Sequence, residues 1–135
     1  MPAVATKKRT AASAAPITLI RLPSLAKGEI NAGILFVNGR PDHHVILLPG
    51  DTSLPWAKAV NWAKKQGGEL PTRKEQALLF ANAGGEFKPS WYWSNEPTAS
   101  DESYAWMQYF LSGVQSWDPK GLDCRARAVR RVPIQ

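Results

Sequence analysis

Cysteine and histidine are the side chains that most often attack, ligate metals or move protons, and this 135-residue chain has one of the first and two of the second. Cys124 stands alone, which excludes an internal disulfide and any zinc site built from several thiolates. Asp123, Arg125 and Arg127 lie near it in sequence. Neighbouring cations would activate a thiol, but a small residue buried in a strand is the simpler reading and the one adopted. His43 and His44 are adjacent, and neighbours in a strand point to opposite faces, so the pair cannot clamp one metal ion. No serine nucleophile elbow, glycine-rich phosphate loop or paired-cysteine motif occurs. This inventory argues against an enzyme, and no cofactor is expected.

Recognition chemistry is better represented. Six tryptophans are many for a chain this short. Trp56, Trp93 and Trp106 are expected in the core, whereas Trp62, Trp91 and Trp117 are the candidates for exposure, where an indole serves as a platform for sugars, bases or protein partners. Flat indole-bearing surfaces also pair in homo-oligomers. Near the C-terminus, strand alternation places Arg125, Arg127 and Arg131 on one face with Val129, and Arg130 on the other. Lys7, Lys8 and Arg9 form a second basic cluster in an alanine-rich arm. Together these six cations would suit an intracellular nucleic-acid-associated accessory or host-interference protein, the alternative function carried forward.

The charge distribution sharpens that contrast. The formal charge of +6 resolves into +6 over residues 1–65, −3 over 66–117 and +3 over 118–135, so the tryptophan-rich middle is acidic and the ends basic. The length allows one domain, and a hydrophobic content of 44% with 21% charged residues is that of a globular protein. No apolar stretch is long enough to span a bilayer, and no secretory signal is recognisable, so a cytoplasmic or virion-associated protein without membrane contact is expected.

These groups must be positioned by the elements between them. Residues 1–15 hold no aromatic side chain and are read as a flexible basic arm, with 16–135 as a single domain. Short apolar runs predict strands over 17–22, 33–37 and 44–48, the last two joined by a tight Asn38-Gly39 turn. A helix is predicted over 54–66, opened by Asp51, Thr52 or Ser53, with Pro55 in its first turn and Trp56, Ala59, Val60 and Ala63 inward. A second runs from a Thr72–Glu75 capping box to about Asn82, with Ala77, Leu78 and Ala81 inward. Strands follow over 91–94, 104–111, 114–117 and 124–132, separated by a polar loop over 95–103 and a turn at Ser112-Gly113. Strands, two helices, then a β-rich half make an α+β fold.

The run Leu54-Pro55-Trp56-Ala57-Lys58-Ala59, then Leu70-Pro71-Thr72 with Glu75, Tyr92-Trp93-Ser94, Tyr104-Ala105-Trp106 with Phe110, Gly113 and Lys120, and Arg127-Ala128-Val129-Arg130 resembles a bacterial and phage domain family of unknown function. That family includes the C-terminal domain of collagen-like bacterial adhesins, and the resemblance covers about residues 50–132. It implies a C-type-lectin-like fold, two helices on a small, mostly antiparallel twisted sheet, to which residues before 50 would add an extra N-terminal hairpin. The family usually has Trp-Arg just before "LPT", where Gly68-Glu69 stands here.

The resemblance implies structural roles for Trp56, Thr72, Glu75, Trp93, Trp106 and Arg130, the last paired with Glu75. The fold alone does not select a function, and the residues point to a phage or prophage binding module expected to meet a protein or glycan through residues 94–104 and 114–123, with Asn95, Glu96, Tyr104, Gln115, Trp117 and Asp118 as ligand-binding residues. Lectins of this fold hold calcium with Glu-Pro-Asn and Trp-Asn-Asp runs; Asn95-Glu96-Pro97 and Trp117-Asp118-Pro119 offer similar parts in another order. Calcium would require Asn95, Glu96, Asp101, Glu102, Asp118 and Asp123 to converge. Oxidases of the same fold need a cysteine pair that one cysteine cannot supply.

Overall fold

The computed structural model describes residues 19–134, which form an α+β fold. A hairpin, β1 (Ile30–Val37) and β2 (Arg40–Leu47), leads to the short β3 (Thr52–Leu54). Helices α1 (Trp56–Lys65) and α2 (Arg73–Ala83) follow, then a 3-10 turn (Gly84–Glu86). Strands β4 (Trp91–Pro97), β5 (Tyr104–Tyr109), β6 (Gln115–Pro119), β7 (Cys124–Ala126) and β8 (Val129–Pro133) complete the order. One sheet has the order β1-β2-β8 and the other β3-β7-β4-β5-β6, with β4 and β7 parallel and the remaining pairs antiparallel. Among the described residues no helix is long and apolar enough to cross a membrane.

Local chemistry explains the hairpin and the second helix. Asn38 (φ 52°) and Gly39 (φ 78°) both adopt the left-handed conformation that a two-residue turn needs to match strand twist. At α2 the Thr72 hydroxyl accepts from the Glu75 N–H at 3.1 Å, and the Glu75 carboxylate accepts from the Thr72 N–H at 2.8 Å. These bonds satisfy two of the donors that every helix start leaves open.

Two cores meet at β4. One packs α1, through Ala59 and Ala63, against Trp93, Ala105, Met107, Cys124 and Ala126. The other packs α2, through Leu79 and Ala83, against Ala32, Val45, Leu47, Phe87, Tyr92, Phe110 and Val129. Tyr92 and Trp93 are successive strand residues facing opposite ways, so each enters a different core. Phe87 stacks on Phe110 with centroids 3.8 Å apart, and Tyr92 meets both rings edge-on.

The structure corrects several expectations. Leu19–Leu22 forms no strand, and Leu19 and Leu22 remain 81% and 73% exposed, because no partner strand runs alongside; the segment up to Pro23 rests beside Val132 and Pro133 instead. Residues 17–18 and the basic arm at 1–15 lie outside the described residues. The N-cap of α1 is Pro55 without a side-chain bond, since Thr52–Leu54 is drawn into pairing with β7. On α2 the buried residues are Glu75, Gln76, Leu79 and Ala83, while Ala77 and Ala81 are exposed and Leu78 is half-buried. The expected 124–132 strand is two strands in different sheets, broken at Arg127-Ala128, where the Ala128 carbonyl accepts from the Leu48 N–H.

Candidate ligand-binding groove

The N-terminus of α2, the end of β4 and the strands β5 and β6 converge around Arg73. Its Nε donates to Gln115 Oε1 at 2.9 Å, and its guanidinium carbon lies 3.4 Å from the Trp106 ring centre, a cation-π stack. Gln115 Nε2 donates back to the Arg73 carbonyl at 2.8 Å and to Gln108 Oε1 at 2.9 Å. Gln108 Nε2 donates to the Gln76 carbonyl at 2.7 Å, and Gln76 Nε2 reaches the Tyr92 and Trp93 carbonyls at 3.0 and 3.2 Å. A relay of amides thus runs from the centre of the molecule to Arg73 and fixes it at the surface. Among the described residues the terminal guanidinium nitrogens of Arg73 have no hydrogen-bond partner.

Two concavities share Arg73 and Glu96. The larger, about 760 Å³, is lined by Leu35, Thr72, Ala77, Gln108 and Gln115 among others. The smaller, about 480 Å³, lies between Pro97–Ser100 and the pair Trp106–Trp117. Trp117 is 52% exposed and meets Trp106 edge-to-face at 5.0 Å. The Glu96 carboxylate accepts the Arg73 backbone N–H at 2.7 Å, so this start of α2 already holds a negative charge.

Of the six expected ligand-binding residues, the groove gathers Glu96, Gln115 and Trp117. Asn95, Tyr104 and Asp118 are half-buried beside it and do not line it. The Asn95 N–H donates to the Pro71 carbonyl, while Tyr104 closes the preceding loop through bonds with Asp101 and Thr98. Arg73 and Gln108 escaped the sequence reading, and Trp106, expected in the core, is half-buried on the groove wall. One signal was present: a basic residue at the first helical position opposes the helix dipole, and such a local misfit marks a residue held by tertiary contacts.

The expected Arg130–Glu75 pair is replaced. Arg130 meets Glu29 at 2.8 Å, and Arg131 meets Glu75 at 2.7 Å and also Glu69. His43 Nε2 lies 2.7 Å from the same Glu75 carboxylate and its Nδ1 2.7 Å from Asp42. Burial pushes the Glu75 carboxyl up, but Arg131, the Thr72 N–H and His43 together hold it below the ordinary carboxylate range.

Arg125 is bound to Asp51 at 2.7 Å, and Arg127 donates to the Glu86 and Leu48 carbonyls at 2.6 and 2.8 Å. The expected stripe of Arg125, Arg127 and Arg131 is therefore engaged internally, while Lys7, Lys8 and Arg9 lie outside the described residues. Burial, then Asp118 and Asp123, pushes the Cys124 thiol up to about 12. Among the described residues no three His, Cys, Asp or Glu side chains gather so as to hold a metal ion.

The observed class is an α+β domain with an open groove organised around one fixed guanidinium. No protein-family model matches the sequence, and no curated protein matches it.

Proposed function

We propose that this chain is a non-enzymatic binding module of C-type-lectin-like fold, borne by a phage or prophage, that recognises a protein or glycan through the Arg73 groove. Two helices inserted between the edge strand β3 and the other four strands of a five-stranded, mostly antiparallel sheet support the fold assignment. The observation that carries the functional reading is Arg73 itself: stacked on Trp106, gripped by Gln115, and facing a groove beside the exposed Trp117. A guanidinium ordered before any ligand arrives loses little conformational freedom on binding. Its surroundings combine an exposed indole with amide and carboxylate groups, a lining suited to recognition.

Affinity capture from a bacterial lysate and a cell-envelope extract tests this reading. Parent protein retains a partner, and Arg73→Gln combined with Trp117→Ala releases it while circular dichroism stays unchanged. Equal retention by the double variant would overturn the assignment of the groove.

A further inference from the structure

We infer that the groove takes a sugar ring carrying a single carboxylate, a uronate or a sialate, with the carboxylate on Arg73 and the ring face on Trp117. This deepens the binding reading above and rests on it. With Nε engaged by Gln115, the far edge of the Arg73 guanidinium presents two parallel N–H donors, the fork that accepts a carboxylate through two hydrogen bonds. Trp106 behind it holds the plane of that fork and keeps it from rotating away.

Trp117 forms the adjacent wall, with half its surface uncovered and its edge-to-face packing on Trp106 fixing its tilt. The C–H face of a pyranose is apolar and its rim is polar, so a rigid indole bordered by hydrogen-bonding groups matches it. Glu96 uses one carboxylate oxygen on the Arg73 N–H, which leaves the other to accept from a ring hydroxyl, and Ser100 lines the same recess.

Local charge restricts the ligand to one negative group. The segment 95–103 beside the groove carries Glu96, Asp101 and Glu102 and no Lys or Arg, and Lys74 is the second cation on the lining. A chain of phosphates would meet this acidic rim, whereas a solitary carboxylate meets Arg73 alone. For that reason the observations favour an acidic sugar over a nucleic acid, which could also use an arginine and a tryptophan.

Tryptophan fluorescence and calorimetric titrations with matched probes decide the matter: a glucuronate-ended disaccharide against its glucose-ended counterpart, sialyllactose against lactose, and a short oligouridylate. At least one acidic sugar is expected to bind saturably and at least about tenfold more tightly than its neutral partner, as a charged hydrogen-bond pair requires. Which acid binds identifies the source. Arg73→Gln should remove the preference for the acidic member, and Trp117→Ala should weaken both members of the pair.

The proposal is overturned if neither acidic sugar binds at millimolar concentration, if Arg73→Gln leaves the acid preference intact, or if oligouridylate binds more tightly than the sugars. Capture of a partner through Trp117 without binding of either acid would sink the sugar assignment alone. Loss of both would also remove the binding reading.

Discussion

Glu75 shows what a single buried carboxylate does in this fold. It is fully buried, caps α2, and receives Arg131 from β8 and His43 from β2, neighbours in the three-stranded sheet. Replacing it by Gln leaves the Arg131 cation without its buried counter-charge, so Glu75→Gln should destabilise the domain by about 3–5 kcal/mol in urea unfolding. The sign of the pH effect follows from its lowered carboxyl value. The stabilisation is complete above the ordinary carboxylate range and is lost as pH falls through the lowered folded-state value. The acid limb of stability should therefore be shallower in Glu75→Gln than in the parent; parallel limbs would contradict this account.

Cys124 gives a second test at this scale. Its thiol is buried against the Met107 sulfur at 3.6 Å and pushed up to about 12. A thiol reagent at neutral pH should leave the folded protein unlabelled and react fully in guanidinium, and rapid labelling of the native state would refute the burial argument.

At the scale of elements, Gly68 explains how the chain enters α2. Its neighbour Glu69 exchanges two backbone hydrogen bonds with Val129, at 2.9 and 2.8 Å, stitching the α1–α2 connection to β8. A Cβ at position 68 would stand 2.1 Å from the Val129 carbonyl oxygen, where only backbone could yield. Gly68→Ala should cost at least about 1–3 kcal/mol and lower the thermal midpoint, with an unchanged midpoint counting against this approach.

The elements differ in how much the sequence reveals of them. The Asn38-Gly39 turn and the Thr72–Glu75 box are readable because their partners lie within three residues. Ala77 and Ala81 mislead because apolar periodicity cannot register Glu75 and Gln76, two polar residues buried with partners supplied by distant segments. The pairing of Arg130 with Glu75 is implied by the resemblance alone, whereas on β8 it is Arg131, two residues after the buried Val129, that reaches Glu75, and Arg130 meets Glu29. Half of the expected groove emerged from loop position, but the Arg73–Trp106 stack joins residues from a helix and a strand and leaves no local trace beyond the misplaced charge.

Across the whole molecule, the two cores share β4, and β8 closes the smaller sheet while supplying Val129 to one core and Arg131 to Glu75. A chain ending at Ala128 should consequently lose its near-ultraviolet circular dichroism and its cooperative unfolding transition. Retention of a sharp transition would show that β8 is dispensable.

That closing strand also brings residues 19–23 against Val132 and Pro133. Incoming and outgoing chain at the two limits of the described region are side-by-side neighbours, the geometry in which a domain tolerates insertion into a host loop or permutation of its sequence order. Grafted in this way, it would attach by a narrow stalk and ask its carrier only for two adjoining anchor points.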